Sequence, residues 1–170
     1  MAEKIVMRHQ CADYIDIGTT AEPDVRLMDV FEQIDENYGV QTMERPYVSR
    51  KSSVKMTTGY QTSFPYKADI YEDEEVAEYL QAVGEEQQVN VTTDFIRVKL
   101  WKPIASKENT YYARKFRVAV EPTSTGGAGG EAINTSGNLN AISDVVIGEF
   151  NTTTKAFTAA SAAAVSNLGG

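Results

Sequence analysis

Apolar and polar residues alternate along most of the chain, which is typical of β-strands with one buried face. The alternation is clearest over residues 64–70, 95–101 and 111–121. The last two runs are separated by a turn at residues 107–109 and predict a hairpin, with Arg97, Lys99 and Trp101 on its outer face. The pattern as a whole predicts seven or eight short strands with the spacing of a β-sandwich.

One segment has helical periodicity instead. Its apolar stripe recurs at i, i+3, i+4 and i+7 and consists of Val76, Tyr79, Leu80 and Val83. This spacing predicts an amphipathic helix over about residues 73–83. Acidic residues fill its first turn, where the helix dipole favours negative charge, and Asp73 is a better N-cap than Glu72. Gly84 is expected to end the helix.

Two segments before this helix are harder to assign. Over residues 24–37 the pattern slightly favours a helix, because Leu27, Val30, Phe31 and Ile34 fall on one stripe, whereas neither face of a strand would be cleanly apolar. Residues 38–53 are polar and lack periodicity, which predicts a long exposed loop. Long loops in compact domains are often functional, although a flexible surface loop without a function explains the pattern equally well.

Composition bounds the class of protein. The chain has 170 residues and a net charge of −8, so it is long enough for one domain with a core and does not favour duplex DNA binding by overall charge. No apolar run is long enough to span a membrane, and the first residues lack the apolar core of a signal peptide. We expect one β-sandwich domain over residues 1–158 and a flexible Ala-rich tail over residues 159–170.

Residues suited to catalysis are sparse. Cys11 and His9 are the only cysteine and histidine, which is too few for a disulfide or a zinc site. The acidic residues 69–75 are too contiguous to wrap a calcium ion, and the glycine-rich residues 126–130 lack the Lys-Ser/Thr of a phosphate-binding loop. We therefore expect no enzyme activity, no metal and no cofactor, and a structural or binding role instead.

Three stretches together resemble a known family. They are GYQTSFPYKADIY with the acidic helix that follows it (residues 59–84), TYYARKFRVAVEP (residues 110–122) and SGNLNAISDVVIGEFNTTTKAFT (residues 136–158). In this order they resemble the tail tube proteins, or major tail proteins, of long-tailed bacteriophages. The resemblance covers about residues 12–158, and its most specific part is the last stretch.

This resemblance implies a mainly β fold, a β-sandwich or barrel with one flanking helix. It also implies a structural virion protein that assembles into hexameric rings, stacked into a hollow tail tube through which the genome passes. The implied partners are other copies of the chain, a tape measure protein, and tail terminator and distal tail proteins. DNA would be only a transient passenger in the lumen, and no membrane is involved. Such a protein is made in the host bacterial cytoplasm and resides in the virion tail.

Three sets of residues are candidates for assembly under this resemblance. The contact loop to a neighbouring subunit or ring would use Tyr38, Met43, Arg45, Tyr47, Arg50 and Lys51. A strand facing the lumen or an interface would present Asp29, Glu32, Gln33 and Asp35. An acidic assembly face on the helix, available to the loop cations of a neighbour, would consist of Glu72, Asp73, Glu74 and Glu75.

Two other functions stay open from the sequence. A monomeric carbohydrate- or receptor-binding module of a virion would need exposed aromatic residues on one face, which Trp101, Tyr111 and Tyr112 could supply. The chain could also be the tube protein of a contractile tail or secretion device, which shares the tail tube fold. Self-assembly into tubes would separate the first alternative from a tube subunit.

Overall fold

The computed structural model describes residues 3–160. A short 3-10 helix (Arg8–Gln10) precedes eleven strands and one α-helix. The elements in chain order are β1 Cys11–Asp16, β2 Val25–Leu27, β3 Phe31–Ile34, β4 Val40–Arg45, β5 Val54–Tyr60, β6 Ser63–Asp69, α1 Glu75–Glu85, β7 Thr92–Pro103, β8 Thr110–Gly126, β9 Asn134–Ala141, β10 Val146–Asn151 and β11 Ala156–Ala159. The expected Ala-rich tail lies almost wholly outside the described residues.

Nine of the described strands form one antiparallel sheet. Seven follow the order β2-β1-β7-β8-β9-β6-β3, while β10 pairs with β8 and β11 pairs with β10. Strand β8 is long enough to pair with two different strands along the same edge. Its first half (Thr110 to Lys115) pairs with β10, and its second half (Val118 to Gly126) pairs with β9. Its other edge pairs with β7. The predicted β7–β8 hairpin is therefore confirmed, and β8 is the strand from which the sheet divides.

The sheet curls back on itself around an aromatic core. The ring of Phe64 on β6 lies 4.4 Å from that of Phe95 on β7 and 4.9 Å from that of Phe116 on β8. Because β6 is three strands away from β7 in the sheet order, only a sheet folded over its own face can bring these rings together. The core between the two halves also contains Ile15, Ile34, Tyr66, Val118 and Leu139.

The other face of the β7–β8 pair has a second, smaller core. Ile96, Val98 and Ala113 are covered there by Tyr14 of β1 and Phe150 of β10. The rings of Tyr14 and Phe150 are only 4.5 Å apart, although two strands separate them in the sheet. This face is therefore strongly concave, and β7 is buried on both sides.

Helix α1 closes one end of the larger core. Val76, Leu80 and Val83 are buried against the sheet, and Leu80 has no exposed surface. The helix continues through Gly84 to Glu85. The missing side chain of Gly84 leaves room for Pro122 of β8, since a Cβ there would lie 3.1 Å from that ring. The N-cap is Glu74 and not Asp73, whose φ of 65° is incompatible with a capping residue.

The mainly β fold with a flanking helix, expected from the resemblance, is confirmed. The sheet does not close into a barrel. Strands β2 and β3 end the seven-strand path and do not pair with each other among residues 3–160. We call the gap between β1 and β3 the seam. Arg8 and Arg97 bridge the seam by donating hydrogen bonds of 3.1 and 3.0 Å to the carbonyl oxygen of Ile34.

Several local predictions were wrong. The helix favoured over residues 24–37 is instead the two strands β2 and β3, which pair with β1 and β6 respectively. The long loop expected over residues 38–53 is largely a hairpin, since β4 begins at Val40 and pairs with β5. Residues 122–126, up to the start of the glycine-rich run, belong to strand β8, because β9 pairs with them that far.

Arg97 was also placed on the wrong face. It was expected outside, but its side chain is 10% exposed and lies in the larger core. The reason is the register of the hairpin. Phe95 lies opposite Phe116 and Arg97 lies opposite Arg114, so the face that carries Arg97 is the face that carries the core residues of β8.

Candidate assembly surfaces

A two-stranded hairpin projects from the domain. Strands β4 and β5 pair only with each other within the described residues, and β4 is exposed along its whole length. Met43 lies directly opposite Met56, and each is more than a third exposed. A lone two-stranded hairpin is marginally stable in water, so this one gains stability wherever another surface covers it.

The tip of the hairpin, residues 46–50, is a turn with apolar side chains at its apex. The turn is closed by a hydrogen bond of 3.1 Å from the Arg50 amide to the Tyr47 carbonyl. Val48 is as exposed as in an extended peptide, and Tyr47 is 48% exposed. Turn corners favour glycine, proline and short polar residues, so an uncovered valine at this place indicates a surface for contact.

The charge of the hairpin is opposite to that of the rest of the chain. Residues 40–60 contain four cations, Arg45, Arg50, Lys51 and Lys55, against the single carboxylate of Glu44. The whole chain has a net charge of −8, so the remaining residues together carry −11. The hairpin is therefore a basic arm on an acidic body.

The root of the hairpin is fixed by backbone contacts. Asn37 and Ser63 exchange two hydrogen bonds of 2.9 Å, and the Gln61 amide donates to the carbonyl of Gly39 at 2.9 Å. Gly39 has a φ of 59°, and a Cβ there would lie 2.0 Å from the carbonyl oxygen of Gln61. Only glycine fits this position without strain, so the direction in which the hairpin leaves the domain is well defined.

A buried ion-pair network lies directly below that root. Arg97 donates two hydrogen bonds to Asp13, of 2.8 and 3.2 Å. Arg114 makes a two-point contact to Glu36, of 2.9 and 2.6 Å. Arg97 and Glu36 are 3.5 Å apart, which joins the two pairs, and Arg8 reaches Asp13 from the surface at 2.8 Å. Asp13 and Glu36 are 2% and 6% exposed.

The network keeps its two buried arginines charged, since the pKa values of Arg97 and Arg114 are both raised. Burial alone lowers the pKa of Arg97, but its hydrogen bonds to Asp13 and the nearby charges of Asp13 and Glu36 outweigh burial and raise that pKa overall. Burial and the carboxylate of Asp13 raise the pKa of the nearby Cys11 thiol. A thiol with a raised pKa is a poor nucleophile, so the thiol is not activated for catalysis.

The lumen or interface candidates lie along the seam. Asp29, Glu32 and Gln33 line an open cavity of about 630 Å³ there. Glu32 pairs with Lys67 at 3.2 Å, and Gln33 donates to the carboxylate of the exposed Asp35. The structure therefore brings the four predicted residues to one polar edge of the sheet. Which surface of an assembly this edge meets stays a prediction.

The acidic residues at the start of the helix divide into two kinds. Glu74 caps the helix by accepting a hydrogen bond of 2.8 Å from the Ala77 amide, and Glu75 pairs with Arg26 at 2.9 Å. Glu72 and Asp73 are exposed and make no ion pair within residues 3–160. Of the predicted acidic assembly face, these two residues are therefore the ones free to meet a cation from a neighbour.

The aromatic residues proposed for ligand binding do not share a face. Tyr112 is 7% exposed and lies opposite Lys99, on the side of the larger core. Tyr111 packs against the smaller core on the opposite face, and Trp101 is half-buried. Among residues 3–160 there is no cluster of three or more possible metal ligands. No helix of the same region is long and apolar enough to cross a membrane.

Sequence reasoning missed Asp13, Glu36, Arg97 and Arg114 as a group. One signal was present: Phe95 lies two residues before Arg97 on the same face. Aligning Phe95 with the core residue Phe116 across the predicted hairpin would have placed both arginines inside. Glu36 could not have been found in this way, because it lies in a connection between β3 and β4.

Comparison with known proteins gives matches in structure only. No family model matches the sequence, and no curated protein matches it. A chain from the virion of a native gene transfer agent particle superposes with a TM-score of 0.59 at 7% identity, covering 91% of this chain and 100% of that one. A chain from the tail of an empty gene transfer agent particle, refined with helical and C6 symmetry, gives 0.57 at 9% identity, with the same coverage.

A third similar structure comes from an extracellular contractile injection system. It is the PVC sheath/tube terminator in the extended state, with a TM-score of 0.54, 13% identity, and coverage of 86% of this chain and 99% of that one. At these identities the likeness establishes a shared fold. The fold extends over nearly the whole length of each matched chain.

Proposed function

We propose that this chain is a structural subunit of a tail tube, which self-assembles into hexameric rings stacked into a hollow tube. The matched structures come from a virion, a tail and an injection system, which supports a non-catalytic role in such a particle. The C6 symmetry of the gene transfer agent tail supports six subunits in each ring. The particle would contain the chain in its tail, after synthesis in a bacterial cytoplasm.

The observation that carries this proposal is the exposed hairpin. Residues 40–60 leave the domain with apolar side chains uncovered and with a charge opposite to that of the body. A monomer gains nothing from such an arm, whereas a subunit that buries it against a neighbour gains both apolar contact and charge attraction. The contact residues would be Tyr38, Met43, Arg45, Tyr47, Arg50 and Lys51.

The carboxylates along the seam would have a role in the passage of a genome. In the proposed tube, Asp29, Glu32 and Asp35 face the lumen or a neighbouring subunit. A negative lumen repels DNA phosphates, so that the polyanion slides without being held. A tape measure protein would fill the tube before DNA enters, and terminator and distal tail proteins would bind its two ends.

A second candidate is the tube protein of a contractile device. The match to the sheath/tube terminator of an injection system favours it. The two candidates share ring and tube geometry and differ in whether a sheath protein binds the outer surface. Co-expression with a sheath gene from the same locus, followed by microscopy, would distinguish them.

Electron microscopy of the purified protein tests the proposal. Wild-type protein at high concentration should give rings of six subunits, or tubes with sixfold symmetry. Any particles that form can be used to seed further assembly. A protein that stays monomeric by light scattering at high concentration, with and without seeds, would contradict the proposal.

A matched variant links the result to the hairpin. Replacing residues 44–54 with two glycines removes the outer hairpin, and the domain should still fold because β4 and β5 pair only with each other within the described chain. The shortened protein should show an unchanged thermal midpoint and no tubes. Normal tube formation by the shortened protein would show that the hairpin does not mediate assembly.

A further inference from the structure

A pocket lies at the base of the hairpin. It has a volume of about 450 Å³ and is open to solvent. Five of its eleven lining residues are aromatic or apolar, namely Tyr38, Tyr60, Phe116, Ala141 and Val145. Tyr38 and Tyr60 are 60% and 69% exposed. We call it the base pocket. Its size is within the range of sites that take side chains or small ligands.

The base pocket has an acidic rim. Arg114 lies in its wall but is neutralised by the two-point contact with Glu36. Asp144 also lines the pocket, is exposed, and makes no ion pair within residues 3–160. The pocket therefore combines an apolar interior with one free carboxylate. An occupant with an apolar side chain flanked by cations would match both features.

The tip of the hairpin has this chemistry. Tyr47 and Val48 are its uncovered apolar side chains, and Arg45, Arg50 and Lys51 flank them. We propose that the tip of one copy inserts into the base pocket of a second copy, with Tyr47 and Val48 against the pocket tyrosines and Arg50 or Lys51 facing Asp144. This inference rests on the proposed self-assembly and specifies which surfaces meet.

The contact has to be between molecules. Five residue steps along β4, from Val40 to Arg45, extend about 17 Å at 3.3 Å per residue. The base pocket is lined by residues at the root of the same hairpin, including Tyr38, Gly59 and Tyr60. The tip of a chain therefore points away from its own pocket. Each copy offers one tip and one pocket, so copies can join head-to-tail in a series that repeats from copy to copy, as in rings and filaments.

Disulfide trapping tests the contact directly. In a Cys11→Ser background, one preparation has Val48→Cys at the tip and another has Val145→Cys in the pocket. Val145 is 44% exposed, so both positions tolerate cysteine. On mixing under mild oxidation, these two proteins should form a disulfide-linked heterodimer, seen on a non-reducing gel and confirmed by peptide mass.

The matched control is Val89→Cys, which is 81% exposed and lies outside the pocket. Mixed with the Val48→Cys protein, it should give no more heterodimer than random collision produces. Equal yields for the Val145→Cys and Val89→Cys mixtures would overturn the inference.

Assembly provides the second readout. The double substitution Tyr47→Ser/Val48→Ser removes only exposed apolar surface, so the thermal midpoint should not move. It should raise the critical concentration for assembly by at least about tenfold, the change that a loss of about 1.4 kcal/mol per contact produces. Val89→Ser should leave the critical concentration within about twofold of the wild type.

The outcomes separate this inference from the proposed function. Tubes that form with an unchanged critical concentration in the double variant, and without the tip-to-pocket disulfide, would overturn the contact and leave a tail tube function intact. Absence of any assembly by the wild type would refute the proposed function. In that case the disulfide yield still decides whether tip and pocket meet between two copies.

Discussion

Replacing Arg97 with Met tests the buried network most directly. The substitution keeps much of the side-chain volume and removes the hydrogen bonds of Arg97 to Asp13, at 2.8 and 3.2 Å, and to the Ile34 carbonyl, at 3.0 Å. Asp13 is then left 2% exposed, with Arg8 as its remaining partner. Breaking a buried ion pair on one side costs about 3–5 kcal/mol. We expect the lower end, because Arg8 retains its contact.

The measurement is urea unfolding at neutral pH on unassembled protein at low concentration. With a denaturant slope of about 1–3 kcal/mol per molar, a loss of about 3 kcal/mol lowers the midpoint by roughly 1–3 M. The matched control is Arg117→Met. Arg117 also pairs with a carboxylate, Asp94 at 3.1 Å, but its side chain is 44% exposed, so its loss should cost less than about 1 kcal/mol.

The double variant completes the test. With Asp13→Leu and Arg97→Met together, no buried charge is left unpaired at that position, because Arg8, which loses Asp13, is 56% exposed. The protein should then be at least about 2 kcal/mol more stable than the sum of the two single effects predicts. Additive effects in the double variant would refute the reasoning. So would an Arg97→Met protein no less stable than Arg117→Met.

Three further results are expected. Leu80→Ala should lower the free energy of unfolding by about 2–5 kcal/mol, because Leu80 has no exposed surface; a urea midpoint equal to that of the wild type would contradict this packing. Tyr66→Phe should not destabilise the protein near pH 7, because the buried Tyr66 hydroxyl has no hydrogen-bond partner within residues 3–160. Burial raises the pKa of Tyr66 above its ordinary value of 10.0, so the folded protein keeps a proton that the unfolded chain loses, and stability should fall above pH 10 less steeply in the variant than in the wild type. Glu74→Ala should cost about 0.5–2 kcal/mol through the lost N-cap, whereas Glu72→Gln should leave the thermal midpoint unchanged and alter only the salt dependence of assembly.

The helix was predictable because one pattern determined it. Its apolar stripe meets a single surface, so Val76 and Leu80 follow the helical period with no competing signal. Residues 24–37 failed for the opposite reason. Leu27 lies opposite Tyr14 of the smaller core, whereas Ile34 is buried in the larger one. Strands β2 and β3 contribute to different cores, and their apolar residues fall at helical spacing by coincidence.

The hairpin and the network could not be found from periodicity. Alternation records a difference between a buried and an exposed face, and β4 has no buried face. Strand β7 has the converse problem, since both of its faces are buried and Arg97 therefore resembles an outward residue. The location of the candidate assembly surfaces followed from a resemblance, and their contacts required the three-dimensional arrangement.

The seam determines which part of the domain unfolds first. Strand β3 is held on one side by β6, and on the other by guanidinium groups that reach the carbonyl of Ile34. Side-chain contacts to a single carbonyl resist separation less than a continuous ladder of backbone bonds. We therefore expect the segment from β3 through the hairpin to open more readily than the central strands, at the cost of exposing Ile34 of the larger core. Its amides should exchange with solvent well before those of β7 and β8.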